Sequence, residues 1–520
     1  MKKLLLVIPF VILLCFTFGC QQGEDVAEEV GSTVDSKTRI EATIRFLADD
    51  LLEGRGTPGR GLDIAALYLA NELRETGWEP ANEGSYLQTY ALRTFSPQDT
   101  RYTISINGIQ LESDEYIFAP FAVDPTQAPF EYDLVFAGYG IFAPEKDVND
   151  FEEIDLSGKA VVSLRGAPWE LEPHVIHAYD RAVGKMVHVT VRNGTMLIYV
   201  TEEFEPPSSA EVTLARDYSH ITQVYLPEFG GKPICGICPA LVITPAAFDK
   251  ALAKATGGTY KEWQDRLPQQ KFKTQDLKAS IKIRIQTQTQ ENKASNVVAM
   301  LRGSDPSLRD EWIVLTAHYD HLGAMEVPAG QDGIWNGADD NASGTAAVLE
   351  IARQLKGGSP PRRSVLVVFT SGEELGLLGS AYYAKHPLVP KEQVIANINV
   401  DMVGRSKGTL YAITTGCEDL FTQAKAMGTK RGITVQPDPF PTWRLTYFID
   451  SYHFARFDIP FIQFMTEFHS DYHQPSDEIQ HIRFEELVPI VEVIYKLADY
   501  YAQGGEKPTF QRPAWFLTID

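Results

Sequence analysis

Several short stretches of the sequence concentrate the side chains that hold divalent metal ions. They are His318-Tyr319-Asp320-His321, Asp339-Asp340-Asn341, Glu373-Glu374, Asp401, and His469-Ser470-Asp471-Tyr472-His473. Imidazole nitrogens and carboxylate oxygens are the ligands of zinc and its relatives, and a catalytic site keeps coordination positions open for water and substrate. Taken singly, each stretch has an ordinary reading. A lone His is a core or surface residue, a Glu-Glu pair is a solvated face, and Asp-Asp-Asn before a helix is an N-cap. Their common location is what sets them apart.

Four of the stretches follow apolar, strand-like runs, at residues 312–317, 364–370, 394–400 and 459–465, and a fifth such run lies at 296–301. Between them, 345–355, closed by Gly357-Gly358, and 375–384 carry helical patterns. Strands alternating with helices predict an α/β fold, with a mixed, mostly parallel central sheet and helices on both faces. In such a sheet the ligand site lies outside the carboxyl ends of the strands. The carboxylates would therefore share one crevice, where uncompensated charge repels and is costly to desolvate. Divalent cations remove that cost, and a bridging carboxylate lets five ligands serve two ions.

Upstream, Ile40, Ile44, Leu47 and Leu51 have helical spacing, and a second helix is predicted over 62–76, stopped by Gly77 with Pro80 beyond. From about 100 to 290 the texture changes to short strands such as 133–142, 159–164 and 196–201, separated by Gly, Pro and Asp turns. This segment reads as an inserted β-rich domain, so that 37–99 and 291–506 form the two parts of one catalytic domain and 507–520 a tail.

His318-Tyr319-Asp320, Gly337-Ala338-Asp339-Asp340-Asn341-Ala342-Ser343-Gly344, Glu373-Glu374, Asp401 and Tyr472-His473-Gln474-Pro475-Ser476-Asp477 resemble, in order, the motifs of the di-zinc exopeptidase family. That family includes bacterial leucyl aminopeptidases and aminopeptidase Y, and glutamate carboxypeptidase is related to it. Phe46-Leu47-Ala48 with Gly54-Arg55-Gly56 is similar to the family's N-terminal helices. Phe136-Ala137-Gly138-Tyr139-Gly140-Ile141 resembles the first strands of the protease-associated domain that many members carry.

The resemblance implies two Zn2+ per chain and assigns the ligands. Asp340 would bridge the ions, His318 and Asp401 would complete one site, and Glu374 and His473 the other. Glu373 would be the general base for a metal-activated water, and Asp320 would hold the His318 imidazole. The Asp340–Asn341 peptide would be cis. Met402 would line the substrate side-chain pocket, joined by aromatic residues from 443–468. His321, His469 and Asp339 would stay outside the ligand set as supporting residues. The implied activity is removal of N-terminal residues from peptides. Two alternatives share the fold: a mono-zinc enzyme of the glutaminyl-cyclase type, and a peptide-binding or receptor protein on a degenerate peptidase scaffold.

The whole chain has 520 residues, 47 Lys+Arg against 69 Asp+Glu, and a formal net charge of −22. Its 44% hydrophobic content excludes a disordered protein. The acidic balance argues against nucleic acid or an anionic membrane surface as partner and leaves oligomeric state open. Lys2 and Lys3, the short apolar run 4–18 and Gly19-Cys20 resemble a bacterial lipoprotein signal. The expectation is a signal over 1–20, a membrane anchor only through lipid on Cys20, and an acidic tether over 21–36. The protein would then be exported, facing the periplasm or the cell exterior. Cys235-Gly236-Ile237-Cys238 lacks the second Cys pair of a structural zinc site, which leaves a local disulfide or free thiols.

Overall fold

The structure is a computed structural model. It describes residues 35–516 apart from 122, 144–145, 153, 171–178, 203–221, 231–233, 236 and 270–271. The signal and tether assigned to 1–20 and 21–36 lie outside the described residues, except for Asp35 and Ser36. No helix among the described residues is long and apolar enough to cross a membrane.

The chain opens with α1 (Ser36–Leu47) and α2 (Arg60–Glu75). Helical spacing fails after Leu47. Asp49 accepts a hydrogen bond from the Leu51 amide and starts a new turn, and Glu53 and Gly54 have positive φ. The restart shifts the phase by one residue, so Leu51, expected inside, is 83% exposed and Leu52 takes the core position.

The main sheet contains β1 (Leu87–Phe95), β2 (Gln223–Tyr225), β3 (Gln290–Leu301), β4 (Trp312–His318), β5 (Ser364–Thr370), β6 (Val394–Val400), β7 (Thr409–Ile413), β8 (Thr434–Pro437) and β9 (Phe461–Met465). Their order is β2-β1-β3-β5-β4-β6-β9-β7-β8. The centre, β5-β4-β6-β9, is parallel, and the strands flanking it on either side join it antiparallel. The fold is the expected mixed α/β sheet.

Central strands are buried at every position because helices cover both faces. Val365, Val367 and Phe369 of β5 join Ile313, Leu315 and Ala317 of β4 on one face, together with residues of α1, α2, α3 (Gly344–Gly357) and a C-terminal helix, Phe484–Ala502. Leu366, Val368, Trp312 and Val314 point the other way, against Tyr383 and Phe454. The period-2 alternation of side chains produces this division. The helix expected from 375 begins only at Leu378, because the preceding residues form the turn that carries Glu373 and Glu374, with Gly372, Gly376 and Leu377 all at positive φ.

Between β1 and β3 the chain builds a second sheet, with its own buried core. Four of its strands, Phe130–Phe136, Ala160–Leu164, Met196–Val200 and Ala240–Ile243, are parallel neighbours, and helices such as Ala182–Thr190 and Pro245–Thr256 pack with them. Ala160–Leu164 and Met196–Val200 are buried throughout, so this part is α/β in texture where the sequence suggested short β elements alone. The strand expected over 133–142 stops at Phe136, where Gly138 and Gly140 turn with φ of 60° and 65°. A Cβ on Gly140 would lie 2.9 Å from that of Ser163. One piece of the 100–290 segment does not stay with its own sheet: β2 pairs antiparallel with β1 at the edge of the main sheet.

Candidate metal centre

The parallel strands deliver the polar residues to one end of the main sheet. His318 is the last residue of β4, the Glu373-Glu374 turn follows β5, Asp401 follows β6, and the loop after β9 reaches His473. Asp340 arrives separately, from the turn that opens α3. Gly337 makes that turn possible. Its φ is 55°, and a Cβ there would lie 2.1 Å from the Asp340 carbonyl oxygen and 2.5 Å from the His321 ring. The Asn341 carboxamide caps α3 by accepting from the Gly344 amide at 2.9 Å, accepts from the Met402 amide at 3.2 Å and donates to the Val400 carbonyl at 3.0 Å. These bonds tie the Asp340 turn to the end of β6. The Asp340–Asn341 peptide is cis.

The two oxygens of Asp340 face two different donor sets. Oδ1 is 3.3 Å from His318 Nε2, which is itself 3.4 Å from Asp401 Oδ1. Oδ2 is 3.2 Å from His473 Nε2, which is 3.1 Å from Glu374 Oε2. His318, Asp340 and Glu374 also offer ligand atoms that all lie within 4.8 Å of one another. His318 Nε2, Asp401 Oδ1 and His473 Nε2 are buried and have no hydrogen-bond partner. Converging, buried donors left unpaired in this way suit a cation between them, because an unmatched buried polar atom costs roughly 1–3 kcal/mol. The donor set, imidazole and carboxylate, suits zinc.

Electrostatics describe the same cluster. Burial alone would lower the pKa of His318, but Glu373 and Asp401 hold it well above the usual value. His473 is likewise driven up, to about 10, against burial, mainly by Glu374 and Asp340. Burial raises Glu373 well above the carboxylate range, with the negative charges of Glu374, Asp450 and Asp401 adding to it and His318 opposing. Asp401 also lies high, through burial first. The cluster thus has an excess of negative charge and draws positive charge from whatever source is at hand.

Supporting contacts extend behind the cluster. Asp320 accepts from the Glu373 amide at 3.2 Å and so fixes the backbone of that residue. Its Oδ1 stands 3.7 Å from His318 Nδ1, beside the imidazole, and its Oδ2 accepts from the Thr57 hydroxyl at 3.4 Å. His321 Nδ1 lies 2.6 Å from Glu374 Oε1. Asp339 accepts from the Gly404 amide at 2.6 Å and lies 3.2 Å from His469 Nε2. Asp477 accepts from the amides of Asp339 and Asp340.

Beneath these loops Arg55 is fully buried. Its guanidinium donates to the carbonyls of Leu47, Tyr319, Asn336 and Gly337. Burial lowers its pKa to about 10, opposed by Asp320, Asp340, Asp477 and Glu374.

Sequence reasoning missed a polar ladder inside the sheet. Thr316 donates to Asn399 Oδ1 at 2.6 Å, Asn399 donates to Gln463 Oε1 at 2.6 Å, and Gln463 Nε2 reaches Asp401 Oδ2 at 3.4 Å. The available signal was two Asn residues at alternate positions of the otherwise apolar β6. Asp450 was missed too. It accepts from the Thr370 hydroxyl at 2.5 Å, and burial raises its pKa to about 6.

Next to the cluster is a small chamber of about 80 Å3. Met402 lines it, with Ile413, Leu445, Phe448, Met465 and Phe468. Cys235, Cys238 and Cys417 are buried free thiols. Burial raises Cys235 to about 12 and Cys238 to about 11.

Residues 296–498 match the model of peptidase family M28. The chain is 32% identical over 263 residues to aminopeptidase YwaD of Bacillus subtilis, a match that covers 48% of this chain and 52% of that protein. It is 39% identical over 114 residues to a probable zinc metalloprotease of Leptosphaeria maculans, covering 22% of this chain and 25% of the relative. The chain thus spans about half the length, or less, of these curated relatives. Its fold is similar to that of the aminopeptidase from Aneurinibacillus sp. strain AM-1, with a TM-score of 0.50 at 18% identity over 94% of this chain and 96% of that one.

Proposed function

We propose that the protein, whose residues 296–498 match the model of peptidase family M28, is a zinc aminopeptidase that holds two Zn2+ and removes N-terminal residues from peptides. The observation that carries the count of two is the division of Asp340, with Oδ1 toward His318 and Asp401 and Oδ2 toward His473 and Glu374. A mono-zinc cyclase would have no use for the first of these sets.

When bound, zinc supplies Lewis acidity to water and to the scissile carbonyl. Glu373 is held by its amide beside the ligands and makes no hydrogen bond to them, so its carboxylate is free to move protons. It takes the proton of the attacking water and returns it to the leaving nitrogen. Its buried site, which favours the protonated form, supports the second half of that exchange. The apolar chamber binds the side chain of the N-terminal residue, and its lining supports preference for an aliphatic or aromatic one.

The test is hydrolysis of leucyl nitroanilide, with metal content measured in parallel. Two zinc ions per chain, loss of activity on chelation and recovery with zinc are expected. Glu373→Gln should keep both ions and lose about 10^2- to 10^4-fold in kcat. Full activity in that variant would refute the assigned base. Export as a lipoprotein is part of the proposal and rests on the sequence of residues 1–20; Cys20→Ser should abolish incorporation of labelled palmitate.

A further inference from the structure

Glu373 and Glu374 line the small apolar chamber. The next residue, Leu375, lines a second and far larger cavity of about 630 Å3, together with His321, the partner of Glu374. Much of its wall is bare backbone at Gly56, Gly59, Gly61 and Gly323. On one side stands a short hairpin, Gly323–Ala324 with Ile334–Trp335, whose Trp335 indole donates to the His473 carbonyl at 3.2 Å. The large groove therefore begins beside Glu374, at His321 and Leu375. A peptide whose N-terminal side chain fills the 80 Å3 chamber can continue along this groove.

The charge in the groove is one-sided. Glu53 and Glu326 line it, both exposed, and neither cavity has a Lys or Arg among its described lining residues. Of the guanidiniums near the ligands, Arg55 spends its donors on four main-chain carbonyls and Arg405 is 2.8 Å from Asp471. No Lys or Arg described in the lining of either cavity pairs with a substrate's α-carboxylate. A carboxylate within the groove would instead share it with the like charges of Glu53 and Glu326.

We infer that the groove receives the leaving side of an extended peptide and excludes a free carboxylate close to the scissile bond. The substrate class is oligopeptides of roughly four residues or more, long enough at about 3.3–3.6 Å per residue to carry the C-terminus beyond the acidic walls. Lys or Arg two or three positions after the cleaved bond is favoured, and dipeptides are poor substrates. This inference rests on the aminopeptidase reading above and separates it from a dipeptidase or a carboxypeptidase, each of which must grip a carboxylate.

The experiment compares kcat/KM of the zinc-loaded full chain on four probes: leucyl nitroanilide, leucylglycine, Leu-Gly-Gly-Gly amide and Leu-Gly-Lys-Gly amide. The tetrapeptide amides should exceed leucylglycine by about tenfold, and the lysine peptide should exceed its glycine counterpart by about three- to fivefold at low salt, the scale of one partly exposed charge pair. Glu326→Gln should reduce the lysine preference, and Ala324→Trp, placed in the wall, should lower the ratio of tetrapeptide to nitroanilide rates. Equal kcat/KM for leucylglycine and the tetrapeptides, or a lysine preference untouched in Glu326→Gln, would overturn the inference while leaving the aminopeptidase standing. Failure to cut leucyl nitroanilide at all would remove the aminopeptidase reading and this inference with it.

Discussion

His321 Nδ1 lies 2.6 Å from Oε1 of Glu374, and the other oxygen of that carboxylate is 3.1 Å from His473 Nε2. One side chain thus joins His321 to His473, the histidine proposed as a zinc ligand. Carboxylate ligands are oriented by such outer partners, and losing one typically costs about 10–100-fold in metal affinity. His321→Phe should therefore weaken zinc binding by about that factor at the Glu374–His473 set and spare the set of His318 and Asp401. Competition with a chromophoric chelator, read as two separate affinities, checks this.

Arg55 joins segments far apart in sequence through four carbonyls on three of them. Arg55→Met takes this donor from the Leu47, Tyr319 and Asn336 carbonyls, at roughly 1–3 kcal/mol each before relaxation, while the Gly337 carbonyl still accepts from the Ala342 amide. Arg55→Lys recovers only part of the loss, because an ammonium lacks the planar fork that reaches them together. Urea unfolding should show a destabilisation of at least about 3 kcal/mol for Met and less for Lys.

How much of this was readable beforehand depends on how local each signal is. β5 and β6 occupy the ranges read from their apolar runs, 364–370 and 394–400, because a doubly covered parallel strand is apolar at nearly every position. The metal-ligand candidates are brought together as the strand-end argument expects, since topology alone fixes that end of the sheet. Leu51 was misplaced because one Asp cap restarts the helical phase. The pairing of Thr316, Asn399 and Gln463 comes from strand neighbours 83 and 64 positions apart, a relation no window along the chain contains. Likewise, no local pattern reveals that Asp320 serves the Glu373 amide as well as standing beside His318.

Metal removal should act on stability as well as on activity. Asp340, Glu373, Glu374 and Asp401 converge on one cavity, the first and third of them buried, and an ion that binds only the folded state stabilises it by about 4 kcal/mol at a free concentration 1,000 times its Kd. Calorimetry with excess chelator should give a clearly lower Tm than with zinc, and the gap should shrink in Asp340→Asn. An unchanged Tm on chelation would refute a stabilising ion.

The second sheet offers a pH-dependent prediction away from the metal centre. Asp150 accepts from the Ile141 amide at 2.8 Å, and burial pushes its pKa up to about 6. In the unfolded chain an Asp titrates near 3.9, so the folded form holds the proton more tightly. Its contribution is fully present below about pH 4 and is lost as pH rises through about 6, by up to about 3 kcal/mol. Asp150→Asn, uncharged throughout, should flatten this slope. Urea midpoints at several pH values between 4 and 7 will tell.

The strand Gln223–Tyr225 leaves the segment that surrounds it and pairs with Leu87–Phe95. For protein engineering this means that residues 100–290 are not a cassette. Cutting at the two apparent boundaries removes an edge strand from the main sheet along with the segment, and exposes the backbone of Leu87–Phe95 to unwanted pairing. A chimera that exchanges the insert must either retain Gln223–Tyr225 or bring a strand of its own to take that place.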